Sequence, residues 1–293
     1  MIAMEKGTRL YYAVKIYDKQ RLVYCDMVKL VENERKALKG IRFPFIINSE
    51  YFFQDYAYLF FVLPLCLGGE LHYHLKYFRT FSEYYTKFIT AQVILALEYL
   101  HFMDIIYRDL KPENIVLDHN GFIKITDLTA CKFLYGAPRT YTMCGTPEYI
   151  APEMLTKSGY NKTVDFWQLG ILIYNLVSGV TPFYHRKVII IYRNILDCQF
   201  KYPSNITDIL KDLISKFLRL IPETRLGANG FEEIKEHPWF DNIYWSSILN
   251  KTVRPPFVPD VKDVHDTSYF SKYEEIPLRV EKRPRYCREF ANF

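Results

Sequence analysis

Ile106-Tyr107-Arg108-Asp109-Leu110-Lys111-Pro112-Glu113-Asn114 is the stretch on which the reading of this 293-residue chain turns. A carboxylate stands two residues before a lysine and five before an asparagine. Thirteen residues past Asn114, Asp127 closes the alternating run Phe122-Ile123-Lys124-Ile125-Thr126. That order suits phosphoryl transfer. One carboxylate orients an attacking hydroxyl, a lysine offsets charge on the moving phosphoryl group, and an asparagine with a second aspartate holds divalent metal. An isolated Asp-Leu-Lys-Pro string is equally a turn before a strand, with Pro setting the backbone and Asp capping it. The weight comes from several parts recurring in order.

Working outward, residues 115–117 and 122–125 form a hairpin around Asp118-His119-Asn120-Gly121. Upstream, Tyr85, Phe88, Ile89, Val93, Leu97 and Leu100 recur at helical spacing over residues 81–103, and Ser82 is placed to cap that helix. Nearer the N-terminus, residues 10–17, which include Lys15, are a strand rich in aromatic and branched residues behind the turn Glu5-Lys6-Gly7-Thr8. A lone lysine in such a strand snorkels outward. Residues 27–38 predict a helix with Met27, Leu30, Val31 and Leu38 apolar and Glu34 upon it. Further strands are expected at 43–47, 51–53 and 58–63, after which Pro64-Leu65-Cys66-Leu67-Gly68-Gly69 breaks the pattern like a hinge.

In this order the parts resemble the AGC family of Ser/Thr protein kinases, nearest in pattern to the cyclic-AMP-dependent kinases, and the resemblance covers essentially the whole chain. It implies an α+β, bilobal kinase fold with a truncated small lobe: residues 1–63 as a partial small lobe, 64–69 as the hinge, 70–238 as the large lobe and 239–293 as an AGC-type C-terminal tail. The implied activity is transfer of the γ-phosphoryl group of ATP, with Mg2+, to Ser/Thr hydroxyls of proteins carrying basic residues nearby. Asp109 is then the base or orienter of that hydroxyl, Lys111 neutralises the transferring group, and Thr146 closes the pocket beside them. Asn114 and Asp127 ligate metal, and Lys15, oriented by Glu34, holds phosphates. Leu63 limits pocket depth, the hinge around Cys66 meets the adenine edge, and Glu70 reaches a ribose hydroxyl or a basic side chain. From the tail, Phe270 adds an aromatic near adenine with Tyr273 alongside.

The same resemblance makes Thr142 an activating phosphorylation site whose phosphate pairs with Arg108 and Lys132, supplied by an upstream kinase or by autophosphorylation. Met143, Pro147 and Ile150 form an apolar shelf for the residue after the phosphoacceptor, and Glu70 and Glu113 receive basic substrate side chains. Asn175 stands where a further acid is expected, and Tyr141 where a tryptophan serves cyclic-AMP-kinase-type regulatory subunits. Glu153 and Arg225 are a structural ion pair, Asp165 caps backbone of the catalytic loop, and Phe290 and Phe293 anchor the tail in a hydrophobic pocket of the small lobe.

Composition agrees with a globular chain: 49% apolar, 24% charged, formal charge +5. The basic spot Lys282-Arg283-Pro284-Arg285 with Arg288 is a solvated tail, so no nucleic-acid partner is expected. Six cysteines without paired spacing read as free thiols in a reducing compartment. No signal sequence, membrane span or myristoylation glycine is visible, which leads to a cytoplasmic or nuclear expectation and no membrane partner.

Two departures divide the functional reading. Gly7 is the sole glycine before Lys15, so the G-x-G-x-x-G phosphate loop is missing and the resemblance starts inside the small lobe. Asp-Phe-Gly reads Asp127-Leu128-Thr129, and a β-branched residue resists backbone angles that glycine permits. The chain is therefore read as a Ser/Thr kinase, or alternatively as a catalytically impaired pseudokinase that binds or scaffolds.

Overall fold

A computed structural model describes residues 1–270, 277–291 and 293. Its first half-lobe is a twisted antiparallel sheet. Strand β1 (Ile2–Met4) hairpins into β2 (Tyr11–Asp18) through the turn at residues 5–8. Helices α1 (Lys19–Tyr24) and α2 (Val28–Gly40) follow, then β3 (Tyr51–Gln54) and β4 (Tyr58–Pro64). The strand order among the described residues is β1-β2-β4-β3. In this register Lys15 stands opposite Phe61 and Ala13 opposite Leu63. Period-two alternation therefore puts Lys15 and Tyr17 on one face of β2, the face against which α2 packs.

Two local expectations are corrected. Residues 43–47 are not a strand. They form a turn with one bridge, Ile46 opposite Ile125, closed by Ile47 N–H to Ile125 O at 2.8 Å and Ile125 N–H to Phe45 O at 2.8 Å. Phe45 and Ile46 have no exposed surface. Burial on every side, which short apolar runs share with core strands, accounts for their composition. Helix α1 was not expected; Asp18 starts it by accepting a hydrogen bond from Arg21 N–H at 3.2 Å.

The large lobe begins with α3 (Leu71–Phe78) and α4 (Glu83–Phe102), the latter capped by Ser82, whose hydroxyl accepts from Tyr85 N–H at 3.2 Å. Strand β5 (Ile105–Ile106) leads into the central loop, the hairpin β6 (Ile115–Leu117) and β7 (Ile123–Ile125) follows it, and β8 (Lys132–Phe133) returns to pair with β5. After α5 (Pro152–Leu155) comes α6 (Thr163–Ser178), then α7 (Val188–Leu196), α8 (Asp208–Phe217), α9 (Phe231–Lys235) and α10 (Trp245–Leu249). Leu97 and Leu100 of α4, Trp167 and Leu172 of α6 and Phe217 of α8 are wholly buried, so these three helices share the core behind the central loop. Helix α6 ends at Gly179, which is left-handed (φ 79°) and gives its N–H to Asn175 O; a Cβ there would meet Arg79 O at 2.3 Å.

The tail runs back across both lobes. At Gly69 (φ 79°) a Cβ would lie 2.3 Å from Tyr269 O, so the tail crosses the hinge in direct contact with it. Tyr269 also stacks obliquely on His74, with centroids 5.0 Å apart. At the end of the chain Phe290 is buried, and the half-buried Phe293 ring sits 5.4 Å from Phe61 and 6.3 Å from Phe52. Gln54 Nε2 donates to Phe290 O at 3.1 Å. The expected tail anchors thus meet the small sheet on the face that α2 covers, where Arg35 of α2 lies 5.1 Å from the Phe293 ring centre.

Arg225 and Glu153 meet inside the large lobe, Nη1 to Oε1 at 2.6 Å and Nη2 to Oε2 at 2.7 Å, with the guanidinium 5.1 Å from the Trp167 ring centre. The Arg225 side chain has no exposed surface. Removing one partner leaves a buried charge alone, which costs about 3–5 kcal/mol. Glu153→Ala is expected to lower stability by about that amount in urea unfolding, and the double change Glu153→Met with Arg225→Met to recover most of it. A loss under about 1 kcal/mol for the single change would contradict a buried pair.

Candidate active site

The central loop is held from below by one carboxylate. Asp165, in the first turn of α6, accepts Tyr107 N–H at 3.0 Å, Arg108 N–H at 2.8 Å and a bond with His101 Nε2 at 2.7 Å. It has no exposed surface, so three partners replace the water it lost. One helical turn on, Gln168 accepts Leu110 N–H at 3.0 Å and donates to Arg108 O at 2.9 Å. Asp165 was expected in this place. Gln168 and His101 were not, although Gln168 lies at i+3 from Asp165 and so shares its helix face.

Above that support the loop side chains converge. Lys111 Nζ lies 2.9 Å from Asp109 Oδ2 and donates to Thr146 Oγ1 at 2.7 Å; Thr146 Oγ1 in turn reaches Asp109 Oδ1 at 3.1 Å. Asn114 Nδ2 donates to Asp109 O and to Asp109 Oδ2, each at 2.8 Å. Four residues that sequence placed together are therefore bonded into one cluster.

The other half of the site faces it from the small lobe. Lys15 Nζ is 2.7 Å from Glu34 Oε1 and 2.9 Å from Asp127 Oδ1. Burial opposes the lysine's charge, but Glu34, Tyr17 and Asp127 outweigh it and raise its pKa above the ordinary lysine value. Asp127 moves the opposite way: burial is overcome by Lys15 and Thr129, and its carboxyl is held below the usual range. A cavity of about 240 Å³ is lined by Lys15, Glu34, Leu63, Glu113, Asn114 and Asp127, among others. Leu63 stands at its wall.

Asp127 takes a left-handed conformation (φ 50°) at the start of the short turn Leu128–Ala130. The strain expected at Thr129 is absent: its φ is not positive, and the unusual angle falls on the aspartate instead, a residue type that tolerates it. Thr129 Oγ1 uses its proton toward Asp127 Oδ1 at 2.6 Å. Leu128 is fully buried, filling the position expected of a packing plug.

The remaining candidates divide. Glu113 lies 3.4 Å from His72 Nδ1 and borders both the 240 Å³ cavity and a groove of about 670 Å³ that also takes in Lys76, Arg79, Thr146 and Glu148. Burial raises the Glu70 pKa, with Glu113 adding repulsion and His72 opposing it. Cys66 is buried and its pKa is pushed up to about 11, with Sγ 3.9 Å from Pro64 O, so only its backbone is left for a ligand. Phe270 does not line the cavity; Tyr269, one residue earlier, makes the hinge contact, and Tyr273 lies outside the described residues. Of the apolar shelf, Met143 is exposed and Pro147 half-buried, but Ile150 is only 2% exposed and belongs to the core behind it.

Thr142 is exposed. Arg108 is 2% exposed, with Nε donating to Ala130 O at 2.6 Å and Nη1 to Tyr160 OH at 2.8 Å. The Tyr160 hydroxyl donates to Thr142 O. Arg108 thus reaches Thr142 through Tyr160, a residue the sequence reading missed. Lys132 sits half-buried on β8.

The donor set fits a hard cation and a phosphate chain. Among the described residues Asp127 Oδ2 takes no hydrogen bond, and 43% of the side chain is open. Among the described residues no group of three or more His, Cys, Asp or Glu gathers; Asp127 and Asn114 would hold a hard cation such as Mg2+ through oxygen, a mode in which one or two protein ligands suffice beside water and phosphate. Also among the described residues, no helix is long and apolar enough to cross a membrane.

The protein kinase domain family matches residues 1–240. The chain is 42% identical over 297 residues to cAMP-dependent protein kinase catalytic subunit 2 of Drosophila melanogaster, covering 100% of this chain and 83% of that relative. It is 42% identical to the Serine/threonine-protein kinase gad8 of Schizosaccharomyces pombe over 95% of this chain, where it spans about half, 49%, of the longer protein. It is 40% identical to the human Serine/threonine-protein kinase Sgk1, over 97% of this chain and 67% of that one. With its small sheet, helical lobe and convergent cleft, the chain belongs to the protein kinase family, in the AGC branch of Ser/Thr kinases that includes the cAMP-dependent enzymes.

Proposed function

We propose that the cleft transfers a phosphoryl group to Ser or Thr hydroxyls of protein substrates. The observation that carries this is the bonding of Lys15 to both Glu34 and Asp127, at 2.7 and 2.9 Å, across a cavity from the Asp109–Lys111–Thr146–Asn114 cluster. Bound Mg2+–ATP supplies the phosphoryl group and the charge that offsets it. Asp127 and Asn114 hold metal through oxygen, and Lys15 holds phosphate oxygens while Glu34 keeps its ammonium aimed. Asp109 orients the substrate hydroxyl and takes its proton. Lys111, already bonded to Thr146, faces the transferring group with its positive charge. The hinge backbone meets the base, and Met143 and Pro147 face the substrate residue that follows the acceptor.

Substrates with basic residues near the acceptor fit Glu70 and Glu113, whose like charges face the same region and so favour a cation between them. The groove is mixed, however: His72 already pairs with Glu113, Lys76 and Arg79 share its walls, and Asn175 is spent on Tyr149 OH at 3.1 Å. Selection for arginine is accordingly modest. A phosphate on Thr142 would draw Arg108 from Tyr160 and bring in Lys132, ordering the segment between Asp127 and Glu153. An upstream kinase or the chain itself supplies it. A regulatory subunit of the cyclic-AMP-kinase type would meet the exposed Tyr141 on that segment.

Transfer of labelled phosphate from ATP to an arginine-containing Ser/Thr peptide tests the reading. Asp127→Ala is expected to lower kcat/KM at least roughly a hundredfold with the fold intact. No Asp127-dependent transfer, even from protein phosphorylated on Thr142, would instead support a binding or scaffold role. For specificity, Glu113→Gln is expected to reduce kcat/KM for the arginine peptide by about tenfold and to leave a neutral analogue within about twofold, since a charge-assisted contact is worth about 1.5–3 kcal/mol. Equal losses on both peptides would contradict a role in reading basic side chains.

A further inference from the structure

Two hydroxyls join the halves of the cleft. Tyr17 OH donates to Glu34 Oε2 at 2.5 Å and lies 3.1 Å from Thr129 Oγ1. Thr129 Oγ1 is 2.6 Å from Asp127 Oδ1, 3.1 Å from Glu34 Oε2 and 3.4 Å from Lys15 Nζ. Thr129 N–H points to Asp127 Oδ1 as well, at 3.3 Å. The protons can be assigned without conflict. Lys15 gives one to Glu34 Oε1 and one to Asp127 Oδ1; Tyr17 gives its one to Glu34 Oε2; Thr129 gives its one to Asp127 Oδ1 and accepts from the remaining Lys15 proton. Each carboxylate oxygen but Asp127 Oδ2 is thereby engaged among the described residues, and Asp127 lines the cavity with 43% of its side chain exposed.

Neither hydroxyl is required by the lysine–glutamate–aspartate scheme. Tyr17 is on β2 two residues from Lys15 and therefore on its face; Thr129 stands where the motif calls for glycine. We propose that Tyr17 and Thr129 are positioning residues that couple α2 to the metal-facing loop, so that Glu34 and Asp127 move as one unit and Asp127 presents Oδ2 to metal before nucleotide arrives. Without them Lys15 alone links the two carboxylates, and the loop at 127–130 is free to turn its carboxylate away. The Thr129 backbone N–H bonds Asp127 within the loop, but only the hydroxyl also reaches Glu34 and Tyr17. A network in a half-buried, low-dielectric cleft strengthens its members, and loss of one member leaves the others under-satisfied. This inference rests on the phosphotransfer reading for its use, but not for its existence.

The test compares Thr129→Val, which keeps shape and loses the hydroxyl, Thr129→Ser, which keeps the hydroxyl, and Tyr17→Phe. Folding of each is checked by circular dichroism, and two readouts follow. Amide exchange in nucleotide-free protein is expected to rise about tenfold over α2 and residues 126–131 in Thr129→Val and Tyr17→Phe, and to stay within about twofold of the parent in Thr129→Ser. The Mg2+ concentration for half-maximal binding of a fluorescent ATP analogue is expected to rise about tenfold in Thr129→Val and to be restored in Thr129→Ser. Unchanged exchange in both Thr129→Val and Tyr17→Phe overturns the coupling. Equal behaviour of Thr129→Val and Thr129→Ser assigns the effect to packing and also overturns it. If the parent protein binds no Mg2+–nucleotide, the phosphotransfer reading fails, and the exchange comparison alone decides the coupling.

Discussion

The Lys15 ammonium, set between Glu34 and Asp127, is the contact on which the rest of the structure depends. It ties a strand, a helix and a loop of the other lobe to a single charge. A partly buried ammonium is unfavourable by itself; here two carboxylates and the Tyr17 hydroxyl reverse that penalty, as the raised pKa records. The remaining small-lobe architecture delivers Lys15 to this place. Antiparallel pairing of β2 with β4 sets the strand register, α2 buries Val31, Ala37 and Leu38 against the sheet, and the Glu34 carboxylate follows from that packing. A one-residue slip of β2 would send Lys15 to the opposite face and dismantle the cleft.

The large lobe solves a matching problem with another buried carboxylate. The central loop carries its reactive side chains on backbone that makes few regular hydrogen bonds, and Arg108 is left-handed (φ 71°). Asp165 and Gln168 supply those bonds from the face of a helix whose own apolar residues form the core. Core packing is thereby converted into the positions of Asp109, Lys111 and Asn114. The Arg225–Glu153 pair stabilises the same region from behind and touches no reacting group.

Much of this was legible in the residues, for identifiable reasons. The spacing from Asp109 to Asn114 and on to Asp127 reflects a local loop and hairpin, and local geometry is written in sequence. Helix α4 was readable from Ser82 and its apolar period. What escaped notice depends on contacts between distant segments. Residues 43–47 look like a strand because full burial and strand pairing select the same apolar residues; only the bridge to Ile125 tells them apart. Tyr160 supports Arg108 from 52 residues away, which no spacing rule reveals. Thr129 was read as a source of strain because glycine was expected, but Asp127 took up the left-handed angle and the threonine hydroxyl gained four polar neighbours. Tyr17 could have been found by noting that a hydroxyl two residues along a strand from Lys15 faces the same way.

The central claim, that Lys15 and Lys111 border one nucleotide phosphate chain, is tested most directly by an acyl-phosphate derivative of ATP, which acylates lysines lying beside bound phosphates. Mass spectrometry of the labelled protein is expected to find Lys15, Lys111 or both modified far above the other lysines, and that labelling suppressed by excess Mg2+–ATP. Labelling spread over surface lysines, or unaffected by Mg2+–ATP, would contradict the claim.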